Sequence, residues 1–257
     1  MPLRLSLRAV AGRLVLCLVT GIAGGWAGFA GAASPATATP PSPGEYIAER
    51  GAGVLTIGTQ ARHGMPFLLH SYAANGHGCS LDGRIVRGVA TLGGFSAGEG
   101  GEVACIVRFD RLGKGVTVSA NQSCRAYCGS RAWFEGAYLR PAPGCGEAER
   151  KAARSRFKRL YDAKRDGEAV KAIAPLIARC QSTLRREEDA RLRNDLAIAQ
   201  YRLGRPADCV ATLRPYVDLA AMSDDEIREE YPPVDEDTWL SIARATRFNQ
   251  ALCRKTR

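Results

Sequence analysis

The three histidines of the chain lie in one short segment close to a cysteine. His63, His70 and His77 are spaced by seven residues and precede Cys79. Imidazole and thiolate groups are common zinc ligands, so this segment is the first candidate for a metal site. No C-x2-C pair accompanies it, and a disulfide is the expected use of Cys79 in an oxidising compartment. We therefore predict no metal ion and no other cofactor.

A second candidate for chemistry is a serine beside a histidine. Ser71 follows His70, and Asp82 and Asp110 lie in the same half of the chain. These residue types form hydrolase triads, but Ser71 does not lie in a G-x-S-x-G turn, and neighbouring residues of a strand point to opposite faces. Carboxylates such as Glu135 have no partner at a spacing that indicates a glycosidase pair. We predict no catalytic residues and rank an envelope hydrolase third among the possible functions.

Cysteine usage is informative about compartment and architecture. One of the nine cysteines, Cys17, lies in the apolar N-terminal stretch. The eight cysteines that follow it are an even number, which is typical of a disulfide framework. Five of these lie in a Gly-rich half and three in a helical half. Because both numbers are odd, complete pairing requires at least one bridge between the halves. The eight predicted disulfide cysteines are Cys79, Cys105, Cys124, Cys128, Cys145, Cys180, Cys209 and Cys253.

The N-terminus has the layout of a secretory signal peptide. Three arginines precede an uncharged apolar stretch from Leu14 to Ala32, which ends in small residues suited to cleavage. We predict a signal peptide over residues 1–32, with a retained membrane anchor as the alternative. Residues 33–44 are a Pro/Ala/Ser/Thr-rich linker. The mature chain is expected in the periplasm of a bacterial envelope or secreted, with no stable membrane span.

The charge is positive but mixed in sign along the chain. The formal net charge is +10, of which three positive charges belong to residues 1–32, leaving +7. Residues 147–222 hold 17 basic and 11 acidic residues, interleaved as on a solvated helical face. We therefore predict no nucleic-acid partner. The acidic stretch 224–237 could dock on a basic enzyme such as a lysozyme, but we favour helix N-terminal charge that complements the basic helices.

Hydrophobic periodicity divides the chain into two kinds of structure. From Val54 to Tyr138 short apolar runs of strand length alternate with glycines, which predicts a small antiparallel barrel or sandwich over residues 45–144. After Cys145 the period becomes helical, which predicts an α-helical domain over 145–257. The fold class is therefore α+β. The predicted helices span 147–165, 168–184, 187–203, 206–221, 224–230 and 237–254, and a Ser223/Glu226 capping box begins the fifth.

Part of the helical half resembles a tetratricopeptide repeat. Segment 193–220 has Leu196 and Ala197 at packing positions, Gly204 at the turn and Cys209 where a small residue is usual. A preceding unit matches less well, and the two are related by a spacing of 37 to 40 residues. Each unit has a proline in its second helix, in the segments APLI and RPYV, where we expect a kink.

Part of the β-half resembles another family. The segments NGHGCSLDG, EVACIVRF and SCRAYCGSRAWFEGAYLRP are similar to the small secreted β-domain of bacterial envelope proteins known as lysozyme inhibitors of the LprI type. The shared features are a cysteine after an Asn/His pair, a second cysteine in a later strand, and C-x3-C-G followed by an aromatic residue and G-x-Y. The resemblance covers about 75–141 and implies a periplasmic or surface protein, and lysozyme inhibition is its family association.

Helix directions predict two disulfides. Antiparallel helices place the end of 168–184 beside the start of 147–165, which brings Cys180 to Cys145, and the C-terminal helix returns beside 206–221. A bridge between Cys180 and Cys209 is disfavoured because these positions differ by about 15 Å along parallel helices. The predicted pairs are Cys145–Cys180, Cys209–Cys253, Cys79–Cys105 and Cys124–Cys128, the alternative being that Cys124 or Cys128 bonds to a third cysteine.

These observations indicate an exported, non-enzymatic binding protein with a protein partner in the envelope. The leading hypothesis is an inhibitor of lysozyme or another cell-wall hydrolase, with the β-domain loops 96–102, 111–115 and 121–131 inserted at the partner. The alternative is an adaptor or scaffold that holds a partner on the concave face of the helical half. The predicted partner-binding residues are Tyr127, Arg125, Arg131 and Trp133.

Overall fold

Eight antiparallel strands form one sheet in the described residues of the first part of the chain. They are β1 (Gly44–Ala48), β2 (Gly53–Ile57), β3 (Met65–Tyr72), β4 (Gly78–Ile85), β5 (Val89–Ser96), β6 (Glu102–Leu112), β7 (Gly115–Ala120) and β8 (Gly136–Leu139). Their order is β4-β3-β2-β1-β8-β7-β6-β5, so the first strand pairs with both the second and the last. The computed structural model describes residues 40–96 and 102–255. The predicted signal peptide and the linker before residue 40 lie outside the described residues.

The sheet curls into a nearly closed barrel around an apolar core. Along β3 the side chains of Met65, Phe67 and Leu69 are buried, whereas Pro66 and Leu68 between them are exposed. This strict alternation places one face of each strand in the core. The rings of Phe67 and Phe109 meet edge to face in the barrel interior, with centroids 4.9 Å apart. The prediction of an α+β protein with a small antiparallel barrel is confirmed.

The two ends of the sheet order, β4 and β5, meet without forming a continuous ladder. A tight turn joins them through the single bridge between Val86 and Val89, with Arg87 and Gly88 at positive φ. A segment after β7, residues 122–129, spans this region. Its Gly129 N–H donates to the carbonyl of Gly78 on β4 (2.9 Å), while the Tyr127 hydroxyl donates to the carbonyl of Gly93 on β5 (3.0 Å).

Two disulfides attach this segment to the barrel, and they differ from the predicted pairs. Cys128 bonds to Cys79 on β4, and Cys124 bonds to Cys105 on β6. The prediction of Cys79–Cys105 and Cys124–Cys128 is therefore wrong. The reason is the sheet order, because β4 and β6 are not neighbours and a separate segment lies between them. The alternative that Cys124 or Cys128 bonds to a third cysteine is correct for both.

In the described residues after the barrel, up to residue 255, the chain forms seven α-helices. Their bounds are α1 (Glu147–Asp162), α2 (Asp166–Arg179), α3 (Arg186–Arg202), α4 (Pro206–Leu213), α5 (Val217–Ala221), α6 (Asp224–Glu230) and α7 (Pro233–Cys253). The Ser223/Glu226 capping box at the start of α6 is confirmed, with both reciprocal hydrogen bonds present.

Several predicted helix ends need correction. The predicted helix 206–221 is interrupted by a 3-10 turn at Arg214–Tyr216, because Pro215 has no N–H to continue the ladder. Pro175, in contrast, lies inside α2 without interrupting it. The helix α2 ends at Arg179 rather than at residue 184, since the backbone turns after Cys180. The last helix begins at residue 233 rather than 237, because Pro233 is tolerated at the first helical position.

Helices α1 to α4 pack in chain order, α7 packs against α3 and α4, and two disulfides fix helix ends. Cys145–Cys180 joins the start of α1 to the end of α2, and Cys209–Cys253 joins α4 to the end of α7, as the helix directions predict. A buried polar network also joins α3 to α7. In it the Asn194 amide donates to the Thr246 hydroxyl (2.9 Å), and the Asn249 amide donates to the side-chain oxygen of Asn194 (2.9 Å).

The barrel and the helices contact each other directly and belong to one unit, residues 37–257. The backbone N–H of Arg50 donates to the carbonyl of Ser182 (2.8 Å). The Glu45 carboxylate accepts the N–H of Glu147 (3.1 Å), a favourable position for a negative charge at the start of α1. Gly51 has φ +70°, and a Cβ there would lie 2.6 Å from the backbone nitrogen of Arg185. Only glycine allows this close approach.

We predict that the two barrel disulfides contribute unequally to stability. Replacing Cys79 and Cys128 by serine removes a cross-link that spans 49 residues and should lower the free energy of unfolding by about 4 kcal/mol. The matched Cys105→Ser/Cys124→Ser variant removes a span of 19 residues and should lower it by about 3 kcal/mol. Urea denaturation of both variants measures the difference. Peptide mapping without reduction that joined Cys124 to Cys128 would contradict the assigned pairs.

Candidate functional site

A cleft of about 910 Å³ lies between the barrel and the helices. Helices α1 and α3 form one side, and β1, β2 and the last residue of β3 form the other. Its volume is at the upper end of the range of ligand sites, about 300–1,000 Å³. We call this feature the cleft.

Basic side chains of α1 line the cleft along one helical face. Lys151, Arg154 and Lys158 follow the spacing i, i+3, i+7 and therefore lie on the same side of α1. Lys158 is paired with the exposed Asp162 (2.8 Å). Among the described residues, Lys151 and Arg154 have no ion-pair partner within 4.0 Å. Two cations therefore face the cleft with no carboxylate bound to them.

A buried ion pair holds the two helices of the cleft together. The Arg150 guanidinium of α1 donates to the Glu188 carboxylate of α3 (3.1 Å), and both side chains are about nine-tenths buried. The same guanidinium donates to the carbonyl of Cys145 (2.7 Å). These partners satisfy a charge that would be costly to bury alone. Arg150 thus positions α1 and is not available to a ligand.

Apolar groups from both sides complete the cleft. Phe157 and Tyr161 of α1 stack with centroids 5.6 Å apart, and Ile198 of α3 lies beside them. The barrel contributes Ile47 and Val54. The lining therefore combines unpaired cations with an apolar surface that neither half supplies by itself.

The cleft also contains a carboxyl group with an altered pKa. Asp195 of α3 is half-buried, and its burial raises its pKa from 3.8 to about 6, although the positive charge of Arg154 acts in the opposite direction. Among the described residues, 40–96 and 102–255, no hydroxyl or imidazole group forms a hydrogen bond with this carboxyl. Asp195 can change its charge near neutral pH without having a catalytic partner.

The residues predicted to bind a partner divide into two groups. The Arg125 guanidinium donates to the carbonyls of Ala132 and Ser130, each at 2.8 Å, and so fixes the chain after Cys128. Tyr127 is half-buried against β5. Arg131 and Trp133 face solvent, and the Trp133 side chain is 68% exposed. The structure thus places Arg125 and Tyr127 in supporting positions and leaves Trp133 as the accessible aromatic residue.

The structure describes two of the three loops that were predicted to insert at a partner. The loop 121–131 is attached to the barrel by the disulfides of Cys124 and Cys128. The loop 111–115 is the turn between β6 and β7, with Gly113 at φ +54°. Most of the loop 96–102 lies outside the described residues.

The serine and histidines that suggested chemistry are not brought together. The hydroxyl of the buried Ser71 donates to the backbone carbonyl of Trp133 (2.8 Å), which fixes the base of that exposed side chain. A G-x-S-x-G pattern does occur around Ser96 at the end of β5, and the residues that follow it, 97–101, lie outside the described part of the chain. In the described ranges, no group of three or more His, Cys, Asp or Glu side chains is arranged to hold a metal ion.

The acidic stretch 224–237 makes internal ion pairs. Asp224 accepts from the guanidinium groups of Arg244 (2.5 Å) and Arg247 (2.6 Å), which lower the pKa of its carboxyl to about 2. Arg228 bonds to both Asp225 and Glu236. Asp224 and Glu236 therefore join α6 to α7 through ion pairs.

The sequence pattern does not predict the cleft. Lys151, Arg154 and Asp195 belong to segments with mixed charge, which are typical of solvated helical faces. Their only signal is the i, i+3, i+7 spacing of the α1 cations, and such spacing does not reveal what the face meets.

Comparison with other proteins adds no identification. Searches against protein-family models, curated proteins and solved structures give no match. Among the helices of the described residues, none is both long and apolar enough to cross a membrane.

We predict that Asp195 lowers stability as it ionises. Because burial raises its pKa in the folded state, the contribution of Asp195 to the free energy of unfolding should fall as pH rises from about 4 to about 6. Asp195→Asn removes this dependence, so the variant should gain about 1–3 kcal/mol relative to the wild type between pH 4 and pH 7. Urea denaturation across this range measures the gain. The exposed Asp82→Asn is the control, and an equal pH response of both variants would contradict the prediction.

Proposed function

We propose that this protein is a non-enzymatic binding protein that holds an extended segment of a partner protein in the cleft. The single observation that supports this proposal most strongly is the juxtaposition in the cleft of two unpaired cations, Lys151 and Arg154, with apolar side chains from both halves. A binding site needs such convergent polar groups on a concave, partly apolar surface.

The rigidity of the cleft supports binding. Cys145–Cys180 and the Arg150–Glu188 pair hold the start of α1 to α2 and α3. A preformed site loses less conformational entropy when a partner binds, so more of the contact energy remains as affinity. The pairs α1/α2 and α3/α4 also fit the interpretation of the helical half as a short tetratricopeptide-like array, with the first helix of each pair facing the cleft.

The chemistry of the cleft supports binding over catalysis. General acid–base or nucleophilic catalysis requires a second group within hydrogen-bond reach of the first. Asp195 has a suitable pKa but no such partner in the described part of the chain. The four disulfides fit an oxidising compartment, and a partner in the bacterial envelope agrees with the predicted export signal.

We predict that filling the cleft abolishes peptide binding. Ser155 lines the cleft and is exposed, so Ser155→Trp should block it while the helix remains intact. A displayed library of random peptides, captured on the mature protein, should yield sequences that bind the wild type and are lost with this variant. Arg156→Trp adds the same side chain at an exposed position of α1 that does not line the cleft and should retain them. Peptide binding that is unaffected by Ser155→Trp would contradict the proposal.

A second candidate function is inhibition of a lysozyme or another cell-wall hydrolase by the β-domain. The observation in its favour is Trp133, which is 68% exposed on a segment fixed by Ser71, Arg125 and two disulfides. Rigidly held, accessible tryptophans are frequent anchors of protein interfaces. The resemblance of 75–141 to secreted lysozyme-inhibitor domains agrees with this candidate.

For this candidate we predict that Trp133→Ala removes inhibition. If Trp133 inserts into a hydrolase, truncation should weaken inhibition at least about thirtyfold, equivalent to about 2 kcal/mol. Lysis of peptidoglycan by a panel of lysozymes and envelope hydrolases provides the measurement. Phe248→Ala removes an aromatic side chain of similar exposure, 63%, on α7 and serves as the control. Undiminished lysis at excess wild-type protein would exclude this candidate.

A further inference from the structure

We infer that the cleft selects an acidic peptide segment that also contains apolar side chains. This inference rests on the proposed function and specifies the chemistry of the partner. It follows from the charges of the cleft, from the apolar groups beside them and from the positions of its carboxylates.

The unpaired cations favour carboxylate ligands. Lys151 and Arg154 are one helical turn apart on α1 and have no ion-pair partner among the described residues. Arg154 is half-buried, so its charge is less screened by solvent than that of an exposed side chain. Two acidic side chains of an extended peptide could neutralise both groups.

The apolar groups indicate that charge alone does not define the ligand. Tyr161 on α1, Ile198 on α3 and Val54 on β2 line the cleft and are half-buried, so they retain some exposed apolar surface. The guanidinium carbon of Arg202 lies 3.8 Å from the centroid of the Tyr161 ring and covers one face of that ring. Leucine, valine or aromatic side chains of a partner would bury surface here, at about 25 cal/mol per Å².

The carboxylates of the cleft argue against a uniform polyanion. Glu147, Asp162 and Asp195 line the cleft together with the cations. A nucleic acid or other polymer with regularly spaced negative charges would bring some of them against these carboxylates. A peptide can place acidic residues at the cations and neutral residues at the carboxylates, so sequence selectivity is expected.

Three labelled peptides test this inference. Each has about twelve residues, or about 40 Å when extended, with leucine at fixed positions. The remaining positions alternate serine with glutamate, glutamine or lysine. We expect the glutamate peptide to bind at least about tenfold more tightly than the glutamine peptide in fluorescence anisotropy, and the lysine peptide to bind weakest. The affinity of the glutamate peptide should fall when the salt concentration rises from about 0.1 M to about 1 M, because the Debye length then shortens from ~10 to ~3 Å.

Charge reversal on α1 provides the matched comparison. Lys151→Glu/Arg154→Glu should weaken the glutamate peptide at least about tenfold and strengthen the lysine peptide. Arg156→Glu/Arg159→Glu has the same spacing and the same change in charge on the outer face of α1, and it should change neither affinity more than about twofold. Circular dichroism and urea denaturation establish that both variants are folded.

The outcomes separate this inference from the proposed function. If selected peptides depend on an open cleft, as judged by Ser155→Trp, but glutamate and glutamine peptides bind equally, the acidic preference is wrong and the proposed function stands. If no peptide responds to Ser155→Trp, the proposed function itself is wrong. Equal effects of the two charge-reversal variants would also overturn the inference, because general electrostatic attraction would then explain the binding.

Discussion

Cys145 is the point at which the chain leaves the barrel and the helical half begins. Its disulfide to Cys180 ties the start of α1 to the end of α2, and its carbonyl accepts a hydrogen bond from Arg150. Arg150 is in turn bound to Glu188 on α3. Removing one partner of such a buried pair leaves an uncompensated charge, so the pair has a strong preference for one arrangement. The position of α1 relative to α3, and therefore the shape of the cleft, depends on this disulfide and this ion pair.

The barrel has a comparable constraint at its incompletely paired edge. Strands β4 and β5 lie at the two ends of the sheet order, and open strand edges are prone to pair with other chains. Here the segment that contains Cys124 and Cys128 spans this region and is covalently bound to β4 and β6. The disulfides therefore complete the barrel where backbone pairing stops. They also fix the chain that presents Trp133 to solvent.

The cleft and the Trp133 surface differ in their physical character. In the cleft, partial burial disfavours the charged form of a carboxyl group, as the raised pKa of Asp195 indicates. Trp133 instead offers apolar area on a rigid support, with its backbone carbonyl bound by Ser71. The two surfaces contain residues from different parts of the chain, so they could bind different partners or different parts of one partner.

The sequence by itself determined the kinds of elements present and some of their connections. Short apolar runs between glycines predicted the strands, the Ser223/Glu226 pair predicted the start of α6, and helix direction predicted the disulfides of Cys145 and Cys209. These features are local or depend only on the order of neighbouring helices. The tertiary structure decided the partners of Cys79 and the meeting of Lys151 with Asp195 at one cleft. Periodicity reports which face of an element is buried, whereas such meetings depend on how distant elements pack.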